Sequence, residues 1–86
     1  MSGQRLHFSL HASDVMQERG ISSAWVQRVV EKPVATFPDL ADPDLVHALA
    51  PITEREGRVL RVVYNRSVEP VLVVTAFFDR AMRGKL

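Results

Sequence analysis

The chain is 86 residues long, with 47% apolar and 24% charged side chains, enough for one domain with one modest core and too apolar for a disordered chain. It contains no cysteine, which excludes a disulfide framework, a thiolate nucleophile and a Cys-based zinc site and fits a reducing cytoplasm. The net charge of +1 is uneven: residues 31–56 carry two basic and six acidic side chains, and residues 57–86 carry six basic and two acidic ones. A polyanion would be drawn to the C-terminal third, although proteins that hold nucleic acid chiefly through phosphates usually carry more positive charge.

Leu6–Phe8 is a short apolar stretch that reads as an edge strand or an extended lead-in. Arg5 is not followed by an apolar segment of signal-peptide length, so no secretion signal is expected. Ser9 is placed to cap a first helix and Gly20 to end it. Between them Ala12, Val15, Met16 and Arg19 recur at helical spacing and can face a core. Ser22 is placed to cap a second helix whose buried stripe is Trp25, Val26, Val29 and Val30. Pro33 ends it, because the residue before a proline disfavours helix. The short link at residues 20–22 predicts an antiparallel helix pair.

Residues 34–37 read as a short strand and residues 38–44 as an acidic, turn-rich loop. Three further strands are expected over Leu45–Ile52, residues 58–64 and Val71–Phe78. Residues 55–57 suit a three-residue hairpin loop with Gly57 in the left-handed region, which would set Glu54 opposite Arg58. Residues 65–70 form the next hairpin, and residues 79–86 a basic tail. The longest apolar run, Val71–Phe78, is too short to span a bilayer, so no membrane partner is expected.

Side chains alternate faces along a strand, so parity assigns each to one side of a sheet. The even positions (Val46, Ala48, Ala50 and Ile52; Leu60, Val62 and Tyr64; Leu72, Val74, Ala76 and Phe78) make an almost purely apolar face for the helices to cover. The odd positions place His47, Arg61 and Thr75 among Leu49, Val63 and Val73. A sheet covered on one side would present those three groups together on its open side.

Several words in this order are recognisable: His11-Ala12, Met16-x-Glu18-Arg19-Gly20-Ile21, Val29 through Pro33, Leu60-Arg61-Val62-Val63, and Asp79-Arg80-x-Met82-Arg83-Gly84-Lys85. Together they resemble a small bacterial domain-of-unknown-function family over nearly the whole chain. That family is similar in turn to the RelE/ParE/BrnT toxin group, whose two-helix-plus-antiparallel-sheet fold includes ribosome-dependent and free endoribonucleases. The resemblance implies RNA or the ribosome as a target and an antitoxin-like protein as a partner, and it places a histidine at position 11.

Each candidate residue also has a structural reading. His11, in the first turn of the first helix, could move a proton or simply bond the backbone there. His47, on the odd face, could do the same or be a partly exposed strand residue. His7 has no feature that singles it out. Arg61 interrupts an apolar strand, where a guanidinium needs a partner. It could grip a phosphate or a pentavalent phosphorane, or pair across the sheet with a residue such as Asp79. Thr75 could hold a phosphate oxygen or be an ordinary strand threonine. Tyr64 falls on the core face, and Arg19 is expected to brace the interhelical turn. Arg80, Arg83 and Lys85 form the strongest basic cluster, either for RNA phosphates or as a solvated tail. Three histidines without regular ligand spacing suggest no metal site, and no cofactor motif is present.

The sequence therefore predicts an α+β fold: two N-terminal helices packed on one face of a three- or four-stranded antiparallel sheet, RelE-like in arrangement. The expected function is a toxin-like RNA-binding domain with metal-independent endoribonuclease chemistry carried by His11, His47 and Arg61. RNA would be held by Thr75, Arg80, Arg83 and Lys85. The competing expectation is a non-enzymatic protein-binding module on the same scaffold.

Overall fold

Serine hydroxyls start both helices of the computed structural model, which describes residues 5–86. Ser9 Oγ accepts the Ala12 N–H ahead of α1 (Leu10–Arg19), and Ser22 Oγ accepts the Ala24 and Trp25 N–H groups ahead of α2 (Ser23–Glu31). Each hydroxyl satisfies donors that a first helical turn leaves without partners. Gly20, at φ 66°, ends α1 in the left-handed region, and the Ile21 N–H closes back on the Met16 carbonyl at 2.9 Å. α2 stops at Lys32, just before Pro33.

Five strands follow the sheet order β1-β5-β4-β3-β2: β1 (Leu6–Phe8), β2 (Ala35–Pro38), β3 (Leu45–Ile52), β4 (Arg58–Asn65) and β5 (Val71–Phe78). The expectation of three or four strands, all antiparallel, is corrected here. Leu6–Phe8 becomes a fifth strand and pairs parallel to Val71–Val73 of β5. It can do so because α1 and all the later elements lie between the two strands, supplying the long crossover that parallel pairing needs. The other three pairings are antiparallel.

Both helices lie on one face of this sheet. α1 packs on β5 and α2 on β3 and β4, so each rests mainly on its own strands rather than on the other helix. Ala12, Met16, Val26 and Val29 meet Ala48, Ala50, Ile52, Leu60, Val62 and Ala76 in one buried cluster. Trp25 is only partly buried at its margin, against the edge of Phe78.

The parity reading holds through β3 and β4 and fails halfway along β5. Val63 pairs with Thr75, whereas Tyr64 pairs with Val73, so Val74 is an extra residue. This β-bulge exchanges the faces of everything before it. Val71 and Val73 are therefore buried, Val73 in the helix-side core, whereas Leu72 and Val74, expected on that face, are only partly covered. Ser9 stabilises the bulge: its N–H donates to the Val73 carbonyl at 2.9 Å and its hydroxyl to the Val74 carbonyl at 3.3 Å.

Three local expectations also change. The β3–β4 connection is a five-residue loop, with a 3-10 turn at Thr53–Arg55 followed by Glu56 and Gly57 at positive φ. Ile52, not Glu54, then faces Arg58, and Glu54 pairs with Arg28 at 2.9 Å. Arg19 does not brace the interhelical turn. Its Nη1 donates to the Ala76 carbonyl of β5 at 2.9 Å, and Arg55 Nη2 bonds the Gly20 carbonyl instead. The tail begins with a 3-10 turn, Arg80–Met82, that lies against β4.

Candidate functional site

On the face away from the helices, β3 and β4 place His47 and Arg61 diagonally, since His47 pairs with Val63 and Arg61 with Leu49. Arg61 Nη1 lies 2.9 Å from His47 Nδ1. A guanidinium can only donate, so Nδ1 is the acceptor and the ring proton sits on Nε2. That Nε2 is 2.7 Å from Asp39 Oδ1. On its far side, Arg61 donates from Nε (2.9 Å) and Nη2 (2.7 Å) to Asp79 Oδ2. Four side chains thus form one continuous chain, Asp39–His47–Arg61–Asp79.

Both ends of this chain are anchored. Asp39 Oδ2 accepts the Ala41 and Asp42 N–H groups, which fixes the turn after β2. Asp79 Oδ1 accepts the Ala81 N–H and so caps the C-terminal 3-10 turn. The hydrogen bond from His47, with help from the Asp42 and Ala41 N–H groups, holds the Asp39 carboxyl below its ordinary pKa. Arg61 does the same for Asp79. Two carboxylates against one guanidinium leave the unit with one net negative charge. Arg61 is therefore paired with Asp79 in the way its structural reading anticipated, and it also touches His47.

Beneath these groups the open face is not simply polar. Leu49, Val59 and Val63 also lie on it and are buried, forming a thin second apolar layer under the relay and the C-terminal turn.

Thr75 shares a rung with His47 through Val63, two strand spacings away, or about 10 Å. His11, exposed at the start of α1, stands 3.5 Å from the Thr75 hydroxyl. The fold thus joins His47 to Arg61 and brings His11 beside Thr75, with His47 and Thr75 on opposite sides of β4. His7 is exposed on edge strand β1.

The positive charge gathers elsewhere, at the corner where β4 begins and β5 ends. Arg58, Arg80 and Arg83 line one depression with Phe78 and Asp79, and Arg19 and Phe77 border the adjoining one. Arg58 lies 4.4 Å from the centroid of Phe78, and Arg55 lies 5.5 Å from both Trp25 and Phe78. Arg83 donates to the Glu56 carbonyl at 3.3 Å. Among the described residues, Arg58, Arg80 and Arg83 have no carboxylate partner. Lys85 is exposed further along the tail.

Sequence reasoning did not single out Asp39, Arg55 or Arg58 for the site. Asp39 carried a weak signal, as the first acid of the loop two residues beyond an exposed aromatic. Arg58 and Arg55 carried none, because their ring partners are distant in sequence.

Among the described residues no three His, Cys, Asp or Glu side chains are grouped to hold a metal ion, and no helix is long and apolar enough to cross a membrane. No curated protein and no solved structure is significantly similar to the chain. Residues 8–78 match the model of a domain of unknown function, DUF4258, and the chain belongs to that family.

Proposed function

We propose that this protein is a toxin-like RNA-binding domain of the cytoplasm, and that RNA is held at the arginine corner. The observation that supports this most directly is the clustering of Arg58, Arg80 and Arg83 around Phe78, with no ion pair from any of the three to a carboxylate among the described residues. Guanidinium groups suit phosphates, and the neighbouring rings offer surfaces on which unpaired bases stack. Thr75 and Lys85 extend the contact along the sheet and the tail. The likeness of the helix–helix–sheet order to the RelE/ParE/BrnT group is consistent with this reading.

Cleavage is assigned to the relay. Arg61 would turn from His47 to the scissile phosphate, and His47 Nδ1 would then take the proton of the ribose 2′-hydroxyl as its oxygen bonds to phosphorus, with Asp39 holding the ring. The P–O5′ bond breaks, the 5′-oxygen leaves and takes a proton from water, and a 2′,3′-cyclic phosphate remains. His11 beside Thr75 is the second proton-transfer candidate. The net negative charge of the relay opposes phosphate entry, so binding is placed ahead of catalysis. The rival is a non-enzymatic protein-binding module, which would use the same arginines on an acidic partner.

The test is titration of a fluorescent single-stranded RNA across a range of salt concentrations. Losing two phosphate contacts in an Arg80→Gln/Arg83→Gln variant should reduce the slope of log K against log salt by about 1.4. An unchanged slope, or no binding by the wild type, defeats the RNA reading. For the catalytic step, expression should arrest bacterial growth or yield fragments with 2′,3′-cyclic phosphate ends, and both effects should vanish in Arg61→Ala. Harmless expression, intact RNA and an acidic protein recovered by co-purification would favour the binding module.

A further inference from the structure

Trp25, Phe77 and Phe78 stand around the arginine corner, and the first and last of them are already engaged. Phe78 has Arg58 at 4.4 Å and Arg55 at 5.5 Å from its centroid, and it meets Trp25 edge to face. Arg55 lies over Trp25 as well. Phe77 differs. Among the described residues no guanidinium lies over its ring and no second ring packs against it. Yet the side chain is partly exposed, and Arg19 and Arg58 border the same depression. An aromatic ring beside arginines that none of them covers is a surface on which a planar group from outside can lie.

Register fixes which way that ring faces. Phe77 is the direct cross-strand partner of Arg61, so both side chains leave the sheet on the face away from the helices. Arg61 does not use this neighbour: its guanidinium turns to His47 and Asp79 instead. Phe77 therefore stands between two sources of positive charge, with Arg58 at the border of its depression and Arg61 one strand spacing away, about 5 Å. Because β5 is paired with β4 along this stretch, the ring is carried by a backbone with little freedom left to lose on binding. A nucleobase offers the flat face that suits such a ring, and its phosphates suit the guanidinium groups on either side. Stacking of this kind needs the face of the base uncovered, which a duplex prevents.

We propose that Phe77 is the base-stacking residue of the RNA site, and that the site takes single-stranded rather than double-stranded RNA. One unpaired base lies on Phe77, and the phosphates flanking it reach Arg58 and Arg61. The inference rests on the RNA reading above and adds to it the strandedness of the target and the residue that selects it.

The test titrates the full chain with three fluorescent probes of equal length: a single-stranded RNA, its blunt-ended duplex, and an abasic ribose-phosphate strand. The wild type should bind the single strand more tightly than either of the others. Phe77→Leu keeps an apolar side chain on the open face and removes only the ring. It should weaken binding of the single strand about tenfold. The slope of log K against log salt should stay the same, because no phosphate contact is lost. Affinity for the duplex and the abasic strand should not move, and Phe77→Tyr should keep the wild-type affinity for the single strand. Unchanged single-strand affinity in Phe77→Leu, or equal weakening of all three probes, overturns the stacking role and leaves the arginine corner standing. Equal affinity of the wild type for single strand and duplex overturns the preference in the same way. Absence of salt-dependent binding of every probe by the wild type defeats the RNA reading itself, and this inference with it.

Discussion

Replacing Arg61 with alanine removes the only cation in the Asp39–His47–Arg61–Asp79 chain. Three charge-assisted contacts disappear, two to Asp79 at 2.7 and 2.9 Å and one to His47 at 2.9 Å. Breaking a fully buried pair by deleting one partner costs about 3–5 kcal/mol, and an exposed pair is worth about 0–1 kcal/mol. The side chains of Arg61 and Asp79 are 18% and 15% exposed, so an intermediate loss of about 2–3 kcal/mol is expected. With a urea m-value near 1 kcal/mol/M, the unfolding midpoint should fall by about 2 M or more. The pH dependence supplies a second reading. Asp79 is held below its ordinary pKa in the fold, so its contribution is present above the unfolded value of about 4 and is lost as pH falls through the lower folded value. Arg61→Ala should therefore flatten the acid limb of the stability curve as well as lower it. A loss under about 0.5 kcal/mol, or no coupling to Asp79→Asn in a double-mutant cycle, would refute the view that this relay holds the open face together.

Trp25→Ala should cost about 2–3 kcal/mol in chemical denaturation, below the range for a fully buried tryptophan, because the ring sits at the margin of the core against Phe78 and Arg55. Gly20→Ala should cost about 1–2 kcal/mol, since it forces φ 66° on an alanine and sets a Cβ 2.9 Å from Arg55 Nη2; thermal melts showing no change would contradict that geometry. The Glu54 carboxyl, held below its ordinary pKa chiefly by hydrogen bonds from Arg28, should move up only modestly in Arg28→Ala when followed by NMR, because both side chains are about half exposed. Urea denaturation at neutral pH should accordingly show little change in stability.

The helices were readable because their signals are local. Ser9, Gly20, Ser22 and Pro33 each act within four residues, and the apolar spacing between them follows directly from the helical period. Strands β3 and β4 were equally plain, and their parity correctly separated Arg61 from Leu60 and Val62. What escaped depends on distant partners. Nothing near Leu6–Phe8 says that it will add to β5 in parallel, because the decision is made by hydrogen bonds across more than sixty residues. The bulge at Val74 escaped because Val71–Phe78 is apolar throughout, so an extra residue leaves no mark in the pattern. At the site, Arg61 was recognisable as a charge out of place and Asp79 as a possible partner. The other end of the relay, Asp39, looked like one more acid in a polar loop. His47 was visible only as a residue on the right face, with no sign that both its nitrogens would be engaged.

Val74 also decides where this chain can tolerate a change of length. A residue added to or removed from the connections at 40–44 or 66–70 carries no strand residue to the other face of the sheet. Deleting Val74 instead would carry Leu72 to the helix side and push Val71 and Val73, both buried, outward. The alternative is to keep those faces and pull β1 out of line, parting Ser9 from the carbonyls of Val73 and Val74 and loosening the start of α1. Variation in length within this domain should therefore collect in those two connections, while β5 keeps a fixed number of residues whatever side chains fill it.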